Sequence, residues 1–525
     1  MARHPARSRS AVLLAATLVI GACSASVELS AGEPSADPPV DEAGPADEAG
    51  PADEPVDTQL DEEVTPAEPG VTTDDTTGDT AQPDDSGAVP GAAGIGDSLY
   101  PGLGNGGYDV DHYKLDLAFD PGTRAIDAIA TITATATTDL SSFNLDFSGL
   151  TVEGVTVDDV PADFERIDTE LTIDAPTVLA AGEPFVTTIE YSGVPALVSA
   201  GTATPVGGWT DTGSDVYVAG EPTGASGWFP VNEHPLDKAT YRIEIAVPDG
   251  LEVAANGLLV DEISADGVTT WVYDTRDPMA SYLVTLAIGE LTLVDAGTVD
   301  GVVIRHAFAD ELTDEGAAEA ERIPEMIEVL AELFGPYPFE AYGMLVVDDS
   351  FGAALETQTL SIFSSDLVST DARFESIVVH ELAHQWFGDS VSIGDWSDIW
   401  LNEGFATYAE ALWLEATEPG FDIDASAADL IAVVGSLLDT PPGSPDPARL
   451  FDVSVYQRGG LTLHALRREV GDDAFFEILQ TWVARYGGAN ATTVDFIALA
   501  EEVSGADLGA LFDAWLFDPE VPALG

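Results

Sequence analysis

Cysteine is almost missing from this chain. Cys23 is the only one in 525 residues, so no disulfide can form within the molecule and the fold must rest on its core and on any metal it holds. Basic residues are scarce too. Seventeen Lys and Arg stand against 94 Asp and Glu, a formal charge of −77, and such a surface repels a phosphate backbone. Nucleic acid is therefore excluded as a partner. The acidity reads first as a solvated surface suited to solubility or high salt, and second as a field that draws in cationic amines. The apolar run Ala11 to Ile20 is too short to span a bilayer as a stable helix.

That run instead forms the centre of an export signal over residues 1–23. Arg3, Arg7 and Arg9 precede it, and the small residues Gly21 and Ala22 follow. Ile20-Gly21-Ala22-Cys23 resembles a bacterial lipobox, whose cysteine is lipidated after cleavage, so attachment to a membrane through Cys23 is expected. A plain signal peptide ending near a cysteine is the alternative. Residues 24–99 are Pro, Ala, Gly, Thr, Asp and Glu with no Lys or Arg and few large apolar side chains. A segment of that kind does not bury enough surface to offset its ordering entropy, so a disordered acidic tether is expected, held extended by its own charge.

From residue 100 to 308 short alternating runs dominate, such as Tyr113-Lys114-Leu115-Asp116-Leu117 and Tyr241-Arg242-Ile243-Glu244-Ile245-Ala246-Val247. Gly, Pro and Asp turns interrupt them. The pattern predicts an antiparallel β-domain, a sandwich or a saddle. From 309 to 525 helical periodicity takes over, including Glu311 to Leu333 and Arg373 to Phe387, with a strand pair near Gly343 to Phe363 between them. The fold class is thus multidomain α+β, with a mainly helical second domain.

His380-Glu381-Leu382-Ala383-His384 lies in the second helical stretch. Histidines four residues apart sit one turn apart on the same helix face, so both imidazoles reach one ion. Phe374, Val378, Leu382 and Trp386 give that helix an apolar stripe, Thr370 or Asp371 can cap its start, and Gly388 can stop it. Eighteen residues separate His384 from Glu403, which precedes a glycine in an apolar helical stretch. A carboxylate there completes a His2Glu zinc site and leaves one position for water. Glu381 points about a third of a turn away from His380, off the metal. It is placed to take a proton from that water and return it to a leaving amine, which predicts metal-assisted amide hydrolysis.

In the contexts His-Glu-Leu-Ala-His-Gln-Trp-Phe-Gly and Trp-Leu-Asn-Glu-Gly-Phe-Ala, these residues resemble the M1 family of metallopeptidases, the aminopeptidase N and leukotriene A4 hydrolase group. The resemblance runs from about Tyr100 to the C-terminus. It implies a β-domain followed by a thermolysin-like catalytic domain with one zinc per chain, acting on peptides with a free N-terminus. The family's Gly-x-Met-Glu-Asn strand, whose glutamate binds the substrate's α-amine, matches Ala353-Ala354-Leu355-Glu356-Thr357. Glu356 is kept, whereas Ala353 stands where the family has its first glycine and Thr357 where it has asparagine. Glu221, 14 residues before Pro235, looks similar to the family's second amine-binding residue. Tyr456, in Tyr456-Gln457-Arg458-Gly459, matches the tyrosine that stabilises the oxyanion. Glu410, seven residues after Glu403 and on the same helix face, is a candidate partner for a zinc ligand.

Many relatives continue into a helical C-terminal domain, so by resemblance this is a short form with a more open cleft. Two alternatives compete with the aminopeptidase reading. One is an endopeptidase or an epoxide hydrolase of the leukotriene type, against which the amine-binding carboxylates argue. The other is a non-catalytic surface module, against which the intact His380, Glu381, His384, Glu403 and Tyr456 argue.

Overall fold

The structure, a computed structural model, describes residues 87–198, 207–368 and 372–524. The export signal with Cys23, the tether through residue 86, and the candidate caps Thr370 and Asp371 lie outside the described residues. Among the described residues no helix is long and apolar enough to cross a membrane. A β-rich N-terminal part leads into a mainly helical one, the order read from the sequence.

The alternating runs become strands because one face of each has a core to meet. In Tyr108–Asp120, residues Tyr113, Leu115, Leu117 and Phe119 are buried while Lys114 and Asp116 face outward. This strand lies inside an eight-stranded sheet, antiparallel to Ala125–Ala136 and parallel to Thr240–Pro248. The sheet is therefore mixed where an antiparallel one was expected. Alternation says which face is buried and nothing about strand direction. Tyr113 and Tyr241 sit opposite each other across the parallel pair and stack at 5.0 Å.

A four-stranded sheet of Gly208–Asp211, Val216–Ala219, Leu286–Gly289 and Glu252–Ala255 shares a small core, through Tyr217, Ala219, Ala254 and Ala287, with Leu345, Val347, Leu355 and Ile362 further along the chain. The loop after Val216–Ala219 carries Glu221. A further sheet begins with the hairpin Leu291–Val299 and Val302–Ala309, continues in parallel through Met344–Val347 and Ser361–Ser364, and ends on Ala354–Leu355. Its inner strands are buried on both faces, as expected of a sheet with parallel strands.

The helical stretch Glu311 to Leu333 is two helices, α1 (Thr313–Ala320) and α2 (Ile323–Phe334), with Pro324 fitting the first turn of the second. Then follow α3 (Ala372–His384), α4 (Trp400–Thr417), α5 (Ile423–Val434), α6 (Val453–Val470), α7 (Asp472–Tyr486) and α8 (Thr493–Ser504). Helix α3 ends at His384, three residues short of the expected Phe387, and Gly388 follows with φ 132°.

The tether assignment needs correction between residues 87 and 99. Val89–Pro90 pairs with Leu140–Asp146, so this segment is built into the fold. Asp97 pairs with His234 at 3.1 Å and accepts the backbone N–H groups of Leu99, Tyr100 and Trp396. Ser98 donates from its N–H and its hydroxyl to Asp395, and the Tyr100 ring meets Trp396 edge-on. Composition misreads the stretch because it is held by polar capping of other elements, and only weakly by apolar burial.

Candidate metal centre

Helix α3 buries Phe374, Val378 and Leu382, with Phe374 meeting Phe363 of the sheet at 5.6 Å and Trp386 packed on Phe334 and Tyr337 just beyond its end, and its other face looks toward α4. That face carries His380 and His384. Helix α4 brings Glu403, and ligand atoms of all three residues lie within 4.8 Å of one another. The Glu403 carboxylate approaches His380 Nε2 at 3.2 Å and His384 Nε2 at 3.5 Å. All three side chains are buried.

The other nitrogens of the two rings are fixed from behind. His384 Nδ1 lies 3.1 Å from the Phe387 carbonyl, which can only accept, so Nδ1 carries the proton and Nε2 its lone pair. His380 Nδ1 lies 2.9 Å from Glu410, whose other oxygen accepts from the Ser376 hydroxyl. Two imidazoles oriented in this way and one carboxylate converge on a single point, which is the donor chemistry a zinc ion requires. The residues present fit the metal.

The same point carries the electrostatic demand for a cation. Burial works to raise the Glu403 carboxyl, but the two histidines outweigh it and hold it down at about 2. Burial likewise opposes charge on His380, yet Glu403 and Glu410 override it and hold its pKa well above the usual imidazole range. Protons on the rings and a metal between them answer the same negative charge. Removing Glu410 should therefore weaken the site without removing a ligand. Glu410→Ala is expected to bind zinc about 10–100-fold less tightly, measured by competition with a chromogenic chelator; unaltered affinity would deny Glu410 this role.

Around the three ligands stand the remaining sequence candidates. Glu381 is buried, and burial pushes its carboxyl up to about 8, with Glu356 and Glu403 adding to the rise and the histidines opposing it. Tyr456 on α6 presents its ring to His380 with centroids 6.0 Å apart. Glu356 follows the edge strand Ala354–Leu355, and Glu356, Glu381 and His384 also come within 4.8 Å of one another. Ala353 and Ala354 are buried, and the Ala353 carbonyl is already taken by the N–H of Ser364. Glu221 arrives from the β-rich part and is buried with both carboxylate oxygens lacking a hydrogen-bond partner among the described residues, as does Glu356 Oε1. Burial raises both carboxyls, and for Glu221 the charges of Glu356, Glu403 and Glu381 raise it further.

One helix crossing sets the spacing of these groups. A Cβ on Gly404 would stand 2.8 Å from the backbone of Gly459, and one on Gly459 would stand 2.9 Å from Gly404 Cα. Helices α4 and α6 thus touch backbone to backbone, next to Glu403 on one and three residues beyond Tyr456 on the other.

Sequence reasoning passed over three residues here. Gln385 makes four hydrogen bonds behind Glu356, Asp389 has a buried oxygen without a partner, and the Tyr282 hydroxyl is buried beside Glu356 and Glu221. Gln385 and Asp389 flank the metal motif in sequence, which was the available signal. Tyr282 had none.

A two-histidine, one-carboxylate centre with a buried acid beside it fits the class of metal-dependent hydrolases. Comparison with known proteins narrows it. The Peptidase family M1 domain matches residues 318–515, and the Peptidase M1 N-terminal domain matches residues 109–283. The M1 zinc metallopeptidase of Deinococcus radiodurans is 34% identical, with a TM-score of 0.76 over 82% of this chain and 98% of that one. A mutant of that protein has been solved bound to a Tyr-Ser-Ala substrate. Aminopeptidase N of Streptomyces lividans is 31% identical over 54% of this chain and 36% of its own length, and Aminopeptidase M1-A of Oryza sativa subsp. japonica is 29% identical over 56% and 36%. The chain spans about a third of the length of such curated relatives. The chain belongs to the M1 family of zinc metallopeptidases, and zinc is its metal.

Proposed function

We propose that this protein is an aminopeptidase that removes single residues from the N-terminus of peptides. The observation that carries the reading is the pair Glu221 and Glu356, buried carboxylates with unpartnered oxygens, Glu356 within 4.8 Å of His384 and Glu381, and Glu221 close enough to feel the charges of Glu356 and Glu403. A buried unpaired carboxylate is costly, and a charged α-ammonium is the group that relieves it. The names of the relatives and the peptide-bound structure of one of them support the same reading.

Zinc held by His380, His384 and Glu403 supplies Lewis acidity toward the scissile carbonyl and toward water. The chain's own groups do the rest. Glu381 accepts a proton from the attacking water at a carboxylate oxygen and hands it to the leaving nitrogen. The Tyr456 hydroxyl donates to the carbonyl oxygen as that atom gains negative charge. Glu221 and Glu356 accept from the α-ammonium and so limit how far a peptide enters before its first carbonyl meets the centre. Location belongs to the same proposal. The basic start, the apolar run and Cys23 support export and attachment to the cell envelope through a lipid.

N-acetylation tests the reading directly. It removes the charge and adds bulk where the carboxylates sit, leaving both acceptors unpaired. Cleavage of an N-acetylated peptide should be slower than that of the free peptide by at least ~10²-fold, the cost of a broken charged pair. Similar rates on both peptides, or cleavage of internal bonds first, would exclude an aminopeptidase.

A further inference from the structure

The Glu356 side chain has an oxygen without a hydrogen bond, so its place beside the metal ligands depends on its backbone. That backbone is held from the metal helix by one side chain. Gln385, fully buried and next to His384, donates from Nε2 to the Glu356 carbonyl at 2.9 Å. Its Oε1 accepts the N–H of Thr359 at 2.8 Å, three residues further along the same loop. The amide thus closes a ring around residues 356–359. Its other two bonds go to Asp389 at 2.7 Å and to the Tyr337 hydroxyl at 3.1 Å, which fixes which end of the amide faces which partner.

The loop needs such a clip. Thr359 has φ 67°, in the left-handed region that a β-branched residue strongly disfavours. Its hydroxyl accepts from the N–H of Gly257, and Asn256 donates to the Gln358 carbonyl at 2.7 Å, so the β-rich part grips the same loop from the far side. Among the described residues, only Gln385, directly after the helix bearing the histidines, reaches both ends of the loop through hydrogen bonds.

We infer that Gln385 is a positioning residue that sets the distance between the ammonium-binding carboxylate Glu356 and the metal ligands, and through it the binding of the peptide N-terminus. The inference rests on the aminopeptidase reading of Glu356. It separates Gln385 from the chemistry, because none of its four bonds goes to a metal ligand's donor atom or to Glu381.

The test uses the zinc-loaded full chain carrying Gln385→Met, which keeps the reach of the side chain and loses all four bonds. KM for a free-amine peptide should rise about tenfold, as for loss of a buried hydrogen-bonded clip, with kcat within about threefold of wild type and zinc stoichiometric. The ratio of free to acetylated cleavage should narrow by a similar factor. Should that variant not fold, Gln385→Glu is isosteric, still accepts from Thr359 and Tyr337, and loses the donations to Glu356 and to Asp389, so the same rise in KM is expected. A KM within about twofold of wild type, a loss confined to kcat, or loss of zinc would each overturn the inference. Wild-type enzyme is assayed first. If it does not discriminate free from acetylated peptide, the aminopeptidase reading fails and this inference with it; if it does and the variants keep their KM, only the clip fails.

Discussion

Glu381→Gln should lower kcat by about 10²–10⁴-fold, the usual contribution of a placed general base, while the protein keeps its zinc. The two histidines of helix α3 face Glu403, and Glu381 is not in the group of residues that meet there, although it comes close to His384 and Glu356. The amide of glutamine has the same shape and can still hydrogen-bond, so packing in this fully buried position survives. What it cannot do is take a proton. Burial and the neighbouring carboxylates already push Glu381 up to about 8, which marks a group whose proton affinity is open to tuning by its surroundings, and a cation bound beside it pulls that value back down. Single-turnover rates and metal analysis on the same preparation decide the matter. Substoichiometric zinc in the variant would make Glu381 a ligand, and a kcat near wild type would remove it from the proton transfer.

Loss of a ligand should have the opposite signature. His384→Ala is expected to lose both zinc and measurable peptidase activity, because two remaining donors do not make a closed site. Wild-type protein should also melt at a lower temperature after chelation, since a metal that binds only the folded chain stabilises it by mass action. The variant's melting temperature should not respond to chelator at all. A His384→Ala protein that still binds one zinc tightly, or still melts lower in chelator, would place the metal elsewhere.

The centre was legible because its ligands lie on two helices, where spacing translates directly into geometry. His380 and His384 fall on one face by periodicity, and Glu410 follows from Glu403 by the same rule. Glu221 and Glu356 were found through family context, since nothing in a loop or an edge strand fixes where a carboxylate points until the sheets are assembled. Gln385 stood in plain view beside the histidine, but the two partners that tie it to the Glu356 loop are backbone atoms of residues 356 and 359, and backbone partners leave no trace in composition. The segment 87–99 misled for a related reason. Its Asp97 and Ser98 look like tether residues and in fact reach Trp396 and Asp395, roughly three hundred positions away in the chain. Strand direction in the mixed sheet was invisible because alternation is the same in both senses.

The contact between Gly404 and Gly459 joins two strings that look independent on paper. Trp-Leu-Asn-Glu-Gly supplies a metal ligand and Tyr-Gln-Arg-Gly supplies a hydroxyl, and each ends on a glycine whose missing side chain is the room the other helix occupies. Neither motif can drift alone. A Cβ at 404 meets the backbone of residues 459 and 460, and one at 459 meets the backbone of 404, so no exchange of side chains relieves either clash, and joint retention of glycine at 404 and 459 is the trace that this crossing should leave in the record of its descendants.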